Sequence, residues 1–437
     1  MMNGIPFIIH HSSFIIHHSP FIIPMLVRLK TTLLFLALAA ALPTTARLHE
    51  PITTKVMFNK EIIRIFERNC LGCHAPNKIK ADIPLTTYEE ARPWAKAIKE
   101  EILEKRMMPF QAVKGYGNFQ HDYALLQREV ELIISWVEGG APRGDIKDYP
   151  KEAIDRLIVG KEWKLGKPDL VLEPEAETAL ASGAMETKCF PLSTGLKEDR
   201  ALSAIDFQPG NGAIVEGASI GIAPTADRAC DAATAGLVEW VPGQLPARLP
   251  AATAYALPAD ARVFLRVRYR NGGADATDRS RVGLYFAAPG VARLMKTVTI
   301  APAPATTIPA NEAMARVKAS YVIREATAAL AIRPLLFPLA KSIEATAIRP
   351  DGTAEVLIWA RGYRYDWQPI YYFKKPVSLP RGSRIEVTAY FDNSDENGNN
   401  PNDPPKEIRL QGALCEVALT APRIKANRPR ITANVQE

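Results

Sequence analysis

Short runs of alternating apolar and polar residues recur through the second half of this 437-residue chain and constrain its fold more than any other feature. Clear examples are ARVFLRVRY at 261–269, VGLYFA at 282–287, EVLIWA at 355–360 and SRIEVTAYF at 383–391, each followed by Pro, Gly, Asn or Asp within a few residues. A period of two places neighbouring side chains on opposite faces of a strand, so these runs predict antiparallel sheets. Proline outnumbers glycine, 35 against 26, which agrees with many turns.

A different pattern comes earlier in the chain. Residues 59–74 read NKEIIRIFERNCLGCH, in which apolar residues at helical spacing lead into Cys70, Cys73 and His74. Two thiols one helical turn apart can add to the vinyl groups of haem, and the following imidazole can ligate its iron. A redox CxxC or half of a zinc site are the alternatives, but no second ligand pair follows. We predict one covalent haem c.

The sixth iron ligand is expected from a loop after the next helix. Residues 88–106 predict that helix, and Met107 and Met108 follow it directly. A thioether ligand would raise the haem potential and suit electron transfer. Iron has one vacancy, so the other methionine would fill the haem pocket. A second amphipathic helix, predicted at 123–138, is expected to pack against the first one.

The amino terminus has the features of a targeting segment. Residues 1–24 contain a tandem FIIHHS repetition that is typical of a non-native upstream extension. Residues 25–46 combine the basic Arg28 and Lys30, an apolar stretch at 33–42 and small residues at a cleavage site, as in a secretory signal peptide. An uncleaved anchor is the alternative, although the apolar stretch is short for about 30 Å of hydrocarbon. We predict a periplasmic or otherwise exported protein, which would associate with a membrane only through an uncleaved signal segment.

Charge and histidine content exclude several classes of function. The net charge is +7 with a pI of about 9.0, but the basic residues are interspersed with acids, so nucleic-acid binding is not expected. All seven histidines lie at or before position 121. A site that needs imidazole is therefore excluded from the last three hundred or so residues.

Several segments resemble a known family. CLGCH, LTTYEEARPWAKAIKE, KRMMPF and SWVEGGAPRGD, within about residues 55–150, resemble the small c-type cytochrome domain fused to bacterial relatives of copper type II, ascorbate-dependent monooxygenases. CFPLSTGLKEDR, DRSRVGLYFA, RPDGTAEVLIW and FDNSDENGNNPNDPP extend the resemblance to the peptidylglycine/dopamine monooxygenase-like double β-sandwich. In that family the sixth iron ligand is the methionine of an Arg-Met-Pro-Pro-Trp segment, which falls on Met107 here, with Met108 as the alternative.

Together these observations predict a multidomain α + β chain. An N-terminal all-α c-type cytochrome domain is expected at 51–145, followed by a linker at 146–175. Two antiparallel, jelly-roll-like β-sandwich domains are expected at 176–297 and 298–437.

The copper ligands of the family are replaced in this chain. The resemblance places the family's His-His pair, strand histidine, His-x-His pair and late methionine on Glu216 and Gly217, Arg268, Leu335 and Phe337, and Val417, respectively. Leucine, phenylalanine, valine and glycine side chains have no atom that could coordinate copper. We therefore expect no copper, and we interpret the second half as a scaffold for binding or docking.

Two further expectations concern this half. Glu216 and Arg268 have opposite charges at positions of one former copper site, so they could form an ion pair there; a surface arrangement without contact is the alternative. In an oxidising compartment one pair of the remaining cysteines can form a disulfide. Cys189 and Cys230 are preferred over Cys415, because both lie in the first predicted sandwich.

The sequence thus predicts an exported monohaem electron-transfer protein with a redox protein partner in the periplasm. The alternative is an oxidoreductase of the monooxygenase type, in which the haem delivers electrons to a reaction in the C-terminal domains. A third possibility is a structural protein whose haem serves only stability. Copper content separates the first two functions.

Overall fold

Strands make up 38% of the described residues and helices 15%. The computed structural model describes residues 54–107, 111–121, 124–160, 162–223, 230, 236–288, 293–336, 338–362, 367–410 and 412–422. The predicted upstream extension and signal peptide, at 1–24 and 25–46, lie outside these residues. Among the described residues, no helix is long and apolar enough to cross a membrane.

Residues 54–107 and 124–160 contain the helices, and we call them the helical segment. Its elements are a π-helical turn at Phe58–Ile62, α1 at Ile63–Asn69, α2 at Tyr88–Ala91, a 3-10 turn at Arg92–Trp94, α3 at Ala95–Leu103, α4 at Gln127–Glu138, a 3-10 turn at Ile146–Asp148 and α5 at Lys151–Val159. A capping box begins α2: the Thr87 side chain accepts a hydrogen bond from the Glu90 amide, and the Glu90 carboxylate accepts one from the Thr87 amide. Gly160, in the left-handed conformation, ends α5.

An aromatic cluster forms the core of the helical segment. Phe58, Phe66 and Trp136 are fully buried, and the rings of Phe66 and Trp136 meet edge to face at 6.5 Å. The indole Nε1 of Trp136 donates a hydrogen bond to the carbonyl oxygen of Pro142 at 3.0 Å. This bond satisfies the single polar atom of a large buried side chain and fixes α4 against the following turn.

The remaining described elements are strands. Their bounds are β1 Gln111–Ala112, β2 Leu170–Leu172, β3 Thr178–Leu180, β4 Met185–Ser193, β5 Arg200–Gln208, β6 Val215–Ala223, β7 Val238–Trp240, β8 Thr253–Leu257, β9 Arg262–Arg270, β10 Ala276–Asp278, β11 Arg281–Phe286, β12 Arg293–Ile300, β13 Thr307–Ile308, β14 Ala315–Val322, β15 Thr327–Pro334, β16 Ala340–Ile348, β17 Ala354–Arg361, β18 Tyr371–Leu379, β19 Arg384–Phe391, β20 Ile408–Arg409 and β21 Cys415–Pro422.

These strands form three larger sheets and two small ribbons. The largest sheet has the order β18-β15-β21-β12-β8-β5-β11-β2, and the others have the orders β1-β17-β16-β19-β14 and β4-β9-β6-β7. The ribbons are β10-β3 and β13-β20. The pairing of β12 with β8 is parallel, whereas the other described strand pairs are antiparallel.

Two apolar cores lie between the sheets. One includes Ile343 of the five-stranded sheet and Ile332 of the eight-stranded sheet. The other includes Leu265 of the four-stranded sheet and Leu284 of the eight-stranded sheet. Each smaller sheet therefore covers one half of the large sheet, in a sandwich-like arrangement.

The predicted fold class is wrong. The described chain is mostly β, and no all-α cytochrome domain is evident in it. The segment expected to form a haem-pocket loop instead contains β1, which adds to the edge of a sheet through β17, and Phe119 forms a bridge with Phe373. The amide of Val113 donates to the carbonyl oxygen of Trp359 at 2.7 Å, so backbone groups of this segment are satisfied by a distant strand. One continuous sheet also joins the two regions predicted as sandwiches.

Candidate functional site

The CxxCH motif forms a tight turn at the end of α1. The amide of Cys70 donates to the carbonyl oxygen of Phe66 at 2.7 Å, and the amide of His74 donates to that of Cys70 at 2.9 Å. Downstream, the amide of Leu85 donates to the carbonyl oxygen of His74 at 3.0 Å. The turn is therefore fixed at both ends by backbone hydrogen bonds, and its position follows from the helix that precedes it.

The imidazole of His74 is oriented by one hydrogen bond. Its Nδ1 lies 2.9 Å from the carbonyl oxygen of Ile83. A carbonyl can only accept, so Nδ1 is the protonated nitrogen and Nε2 carries the lone pair. Burial lowers the pKa of His74, which favours this neutral form. A metal-ligating histidine shows the same arrangement, with one nitrogen held by the protein and the other left for the metal.

The two cysteines of the motif are thiols and are not bonded to each other. Burial raises the pKa of Cys70 to about 12 and that of Cys73 to about 11. The turn also lies close to a loop of the β region: a Cβ atom added at Gly72 would lie 2.9 Å from the Cα atom of Gly243. Glycine at these positions permits that approach, which brings the motif against the first β-sandwich.

Of the two predicted methionine ligands, the structure describes one. Met107 follows α3, is 36% exposed, and donates its amide to the carbonyl oxygen of Glu101 at 3.1 Å. Met108 lies outside the described residues. Both therefore stay predictions as iron ligands.

Four of the six positions that the resemblance aligned with copper ligands line one cleft. Glu216, Gly217, Arg268 and Leu335 surround a cavity of about 970 Å³ between the four-stranded sheet and residues of the second half. Val417 is instead fully buried in a core, and Phe337 lies outside the described residues.

The expected ion pair is present in this cleft. Arg268 Nε lies 3.3 Å from Glu216 Oε2, and Arg270 Nε lies 2.7 Å from Glu216 Oε1. A bulge between Val215 and Gly217 shifts the register opposite β9 and brings Glu216 to the arginines. A Cβ atom at Gly217 would lie 2.6 Å from Nη2 of Arg268, so a glycine leaves space for the guanidinium.

A second charged group was missed by the sequence analysis, and two of its members, Glu239 and Arg333, line the same cleft. Arg333 Nη1 lies 3.3 Å from Glu239 Oε1 and 3.3 Å from Glu416 Oε2. All three side chains are largely buried, and burial raises the pKa of Glu416. Because β7, β15 and β21 contribute one residue each, this ion-pair triad joins two sheets, which no local pattern could indicate.

Another cleft, of about 1010 Å³, adjoins the CxxCH turn. Gly72 and Lys78 line it together with Trp163, Asp206 and Trp240 from the β region. Burial raises the pKa of Asp206 to about 6, although backbone amides donate to its carboxylate. Trp240 lines both clefts, so the two cavities share one wall.

The remaining cysteines follow the expected pairing. Cys189 and Cys230 form a disulfide, and Cys415 is a fully buried thiol. Within the described ranges, no group of three or more His, Cys, Asp or Glu side chains is placed so as to hold a metal ion.

Comparisons with known proteins add little to this description. No family model matches the chain, and no curated protein matches it in sequence. The major capsid protein P2 from bacteriophage PM2 is similar with a TM-score of 0.24 and 9% identity, over 59% of this chain and 98% of that one. Paenibacillus xanthan lyase gives a TM-score of 0.16 and 7% identity, over 59% of this chain and 27% of the lyase. Similarity at this level supports no conclusion about function.

Proposed function

We propose that this chain is an exported electron-transfer protein that carries one haem c on Cys70 and Cys73. The observation that carries the proposal is the CxxCH turn, in which two unpaired thiols precede an imidazole whose Nδ1 is held by Ile83. This is the set of groups that covalent haem attachment requires.

The residues present fit the group in three respects. Cys70 and Cys73 are not bonded to each other or to another cysteine, whereas Cys189 and Cys230 form a disulfide. The lone pair of His74 Nε2 is left for iron by the hydrogen bond on Nδ1. The apolar cluster around Phe66 and Leu71 provides a dry surface beside the turn.

The role of each residue follows from this arrangement. Each thiol adds across one vinyl group: a sulfur–carbon bond forms, the carbon–carbon π bond breaks, and the thiol proton moves to the neighbouring carbon, so no oxidant is needed. His74 would hold the iron from one side, and Met107, or else Met108, from the other. When bound, the haem supplies reversible one-electron transfer, and the protein sets its potential through the axial ligands and burial.

The β region would serve binding or docking in this function. The positions that the resemblance aligns with copper ligands hold a carboxylate, a guanidinium and apolar side chains, and the first two are paired with each other. A redox protein partner in the periplasm would exchange electrons with the haem. Charged surface residues near the turn would set the rate of that encounter.

The test is expression of the chain in a bacterium that exports it and attaches c-type haem. The purified protein should show the spectrum of covalent haem after denaturation in alkaline pyridine, and an intact mass increased by one haem. A Cys70→Ser/Cys73→Ser double variant should lose both signals, whereas Cys415→Ser should keep them. A wild-type protein without haem in such a strain would disprove the proposal.

Two further measurements sharpen it. If Met107 is the sixth ligand, Met107→Ala should abolish the absorption band typical of methionine ligation, and Met108→Ala should leave it unchanged; the reverse result would assign Met108.

Metal analysis should find one iron and no copper per chain after copper loading. Two bound coppers would instead support the monooxygenase-type oxidoreductase.

A further inference from the structure

One buried polar atom at the cleft of about 1010 Å³ has no hydrogen-bond partner. Gln244 lines this cleft and is only 8% exposed, and its Oε1 accepts no hydrogen bond from the described residues. The only other such side-chain atom within the described ranges is Nε of Arg333, whose guanidinium already pairs with two glutamates. Buried polar atoms are nearly always paired in folded proteins, so the unpaired Oε1 requires an explanation.

A hydrogen-bonded turn holds Gln244 at the cleft. Its amide donates to the carbonyl oxygen of Val241 at 3.0 Å, and Gly243 has a φ of +83°. Pro242 precedes this glycine, so the turn has the residues that a type II turn favours. Nε1 of Trp367 donates to the carbonyl oxygen of Pro242 at 3.2 Å and anchors the turn. The fold therefore keeps Gln244 in this position although its Oε1 gains no hydrogen bond there.

The rest of the lining is polar but has no net charge. Five acidic and five basic side chains line the cleft, so their formal charges cancel. Asp206 is a buried acceptor, 3% exposed, whose Oδ2 lies 3.1 Å from the amide nitrogen of Lys164. Lys78 and Lys164 form no ion pair with a described carboxylate, so their ammonium groups can donate to a ligand. A hydroxyl group both donates and accepts, so it can satisfy side chains of either kind without adding charge.

Two tryptophans add an aromatic surface to the cleft. Trp163 and Trp240 both line it, and each is partly exposed. The face of an indole ring is electron-rich, so it attracts the weakly positive C–H groups of a sugar ring. The volume of about 1010 Å³ is at the upper limit of ordinary small-ligand sites, which leaves room for more than one sugar ring.

The cleft is separate from the residues that are predicted to hold haem. Cys70, Cys73 and His74 do not line it, although their neighbours Gly72 and Lys78 do. A ligand in the cleft therefore does not compete for the groups that bind haem, and an inference about this ligand does not depend on the proposed function.

We propose that this cleft binds an uncharged oligosaccharide whose hydroxyl groups pair with Gln244 and Asp206. The faces of its sugar rings contact Trp163 and Trp240. The observation that carries the proposal is the buried Oε1 of Gln244, which a ligand hydroxyl satisfies.

The first experiment is calorimetric titration of the full mature chain with four uncharged disaccharides: cellobiose, maltose, lactose and sucrose. At least one should bind with a dissociation constant on the order of 1 mM or tighter. Sorbitol is the control, since it has hydroxyl groups but no ring face to contact an indole. Sorbitol binding as tight as that of the best disaccharide would overturn the proposal. So would the absence of saturable binding by all four, because water would then satisfy Gln244.

Gln244→Met separates ligand binding from a structural role. Methionine has a similar length and needs no hydrogen bond, so the midpoint of urea unfolding should stay unchanged or rise. Binding of the best disaccharide should weaken about tenfold, because one hydrogen bond to the ligand is lost. Unchanged binding would overturn the proposal, as would a lower midpoint, which would mean that the protein itself satisfies the side chain of Gln244.

A pair of tryptophan variants locates the site. Trp163→Leu should weaken binding of the best disaccharide about tenfold, because it removes an indole face from the cleft. Trp94 is 40% exposed in the helical segment and does not line the cleft, so Trp94→Leu should leave the affinity unchanged. Urea unfolding of both variants establishes that the fold is kept. Equal weakening by the two substitutions would place the binding elsewhere and overturn the proposal.

Discussion

The helical segment and the β region build their sites in opposite ways. Cys70, Cys73 and His74 lie within one turn, and backbone hydrogen bonds to their near neighbours position them. The cleft residues Glu216 and Arg333 come from strands far apart in the sequence and in two different sheets, and they line one cleft only because these sheets pack together. A local site survives wherever its turn survives, whereas a site built across sheets depends on the register of every strand that contributes to it.

The largest expected effect tests whether the two regions unfold together. Trp136→Ala should destabilise the protein by about 3–5 kcal/mol, because it removes a fully buried aromatic side chain from the helical core. Through β1 and the Gly72–Gly243 approach, this loss should lower the midpoint of a single unfolding transition, followed by circular dichroism in urea. Two separate transitions would show that the regions are independent.

The disulfide gives a matching test within the β region. It closes a loop between Cys189 and Cys230, which are 41 positions apart. Chain-entropy arguments give about 4 kcal/mol for a loop of this length, so the Cys189→Ala/Cys230→Ala variant should be destabilised by up to that amount in urea. Cys415→Ala, which removes a buried thiol outside the bridge, is the comparison for simple loss of volume. A smaller loss in the double variant than in Cys415→Ala would contradict this account.

Asp206, which lines the cleft of about 1010 Å³, should make the free energy of unfolding depend on pH. Its pKa is raised from 3.8 to about 6 by burial, so the folded state binds the proton more tightly than the unfolded state. The stability that Asp206 contributes is therefore fully present below pH 3.8 and is lost as the pH rises through about 6. Asp206→Asn should be more stable than wild type at pH 7 by up to about 3 kcal/mol.

The measurement for Asp206 is urea unfolding at a series of pH values between 3 and 8. The stability difference between variant and wild type should grow from pH 4 to pH 6 and then stay constant. A difference that does not change with pH would mean that the carboxylate is solvated in the folded protein.

The smallest effect concerns the ion pair of Glu216 with Arg268 and Arg270. Glu216→Gln should lower stability by less than about 1 kcal/mol, because both arginine partners are half exposed and solvent screens the interaction. A double-mutant cycle with Arg268→Gln, measured by urea unfolding, isolates the pair. A coupling of several kcal/mol would show that the pair supports the cleft far more than its exposure indicates.

Much of the local structure could be predicted from the sequence. The alternation at 261–269 and 383–391 is confirmed as β9 and β19, since a period of two is typical of a strand with one buried face. The helix predicted at 88–106 is present but interrupted by a 3-10 turn at Arg92–Trp94 and ends at Leu103. Pro93 accounts for the interruption, because it has no amide hydrogen to donate.

Other parts could not be predicted because they depend on contacts between distant residues. The pairing of β1 with β17 made the predicted all-α domain wrong, and its two residues have no pattern of their own. The alternating arginines of β9 are visible in the sequence as RVFLRVRYR, but the sequence does not show which face meets a cleft. The ion pair of Glu216 depends on a β-bulge, and the alternation of apolar and polar residues in the sequence does not indicate where a bulge occurs.

The sequence by itself determined the CxxCH turn, the alternating strands and the absence of histidine after position 121. These features depend only on residue types and on short spacings between residues, and both can be read from the sequence. Only the tertiary structure decided the eight-stranded sheet that joins the two halves, the partner of Cys189 and the arginine-lined cleft. Strand register and sheet packing depend on the free energy of burying many side chains that are distant in the sequence. A short segment cannot predict them, because it includes only a few of these side chains.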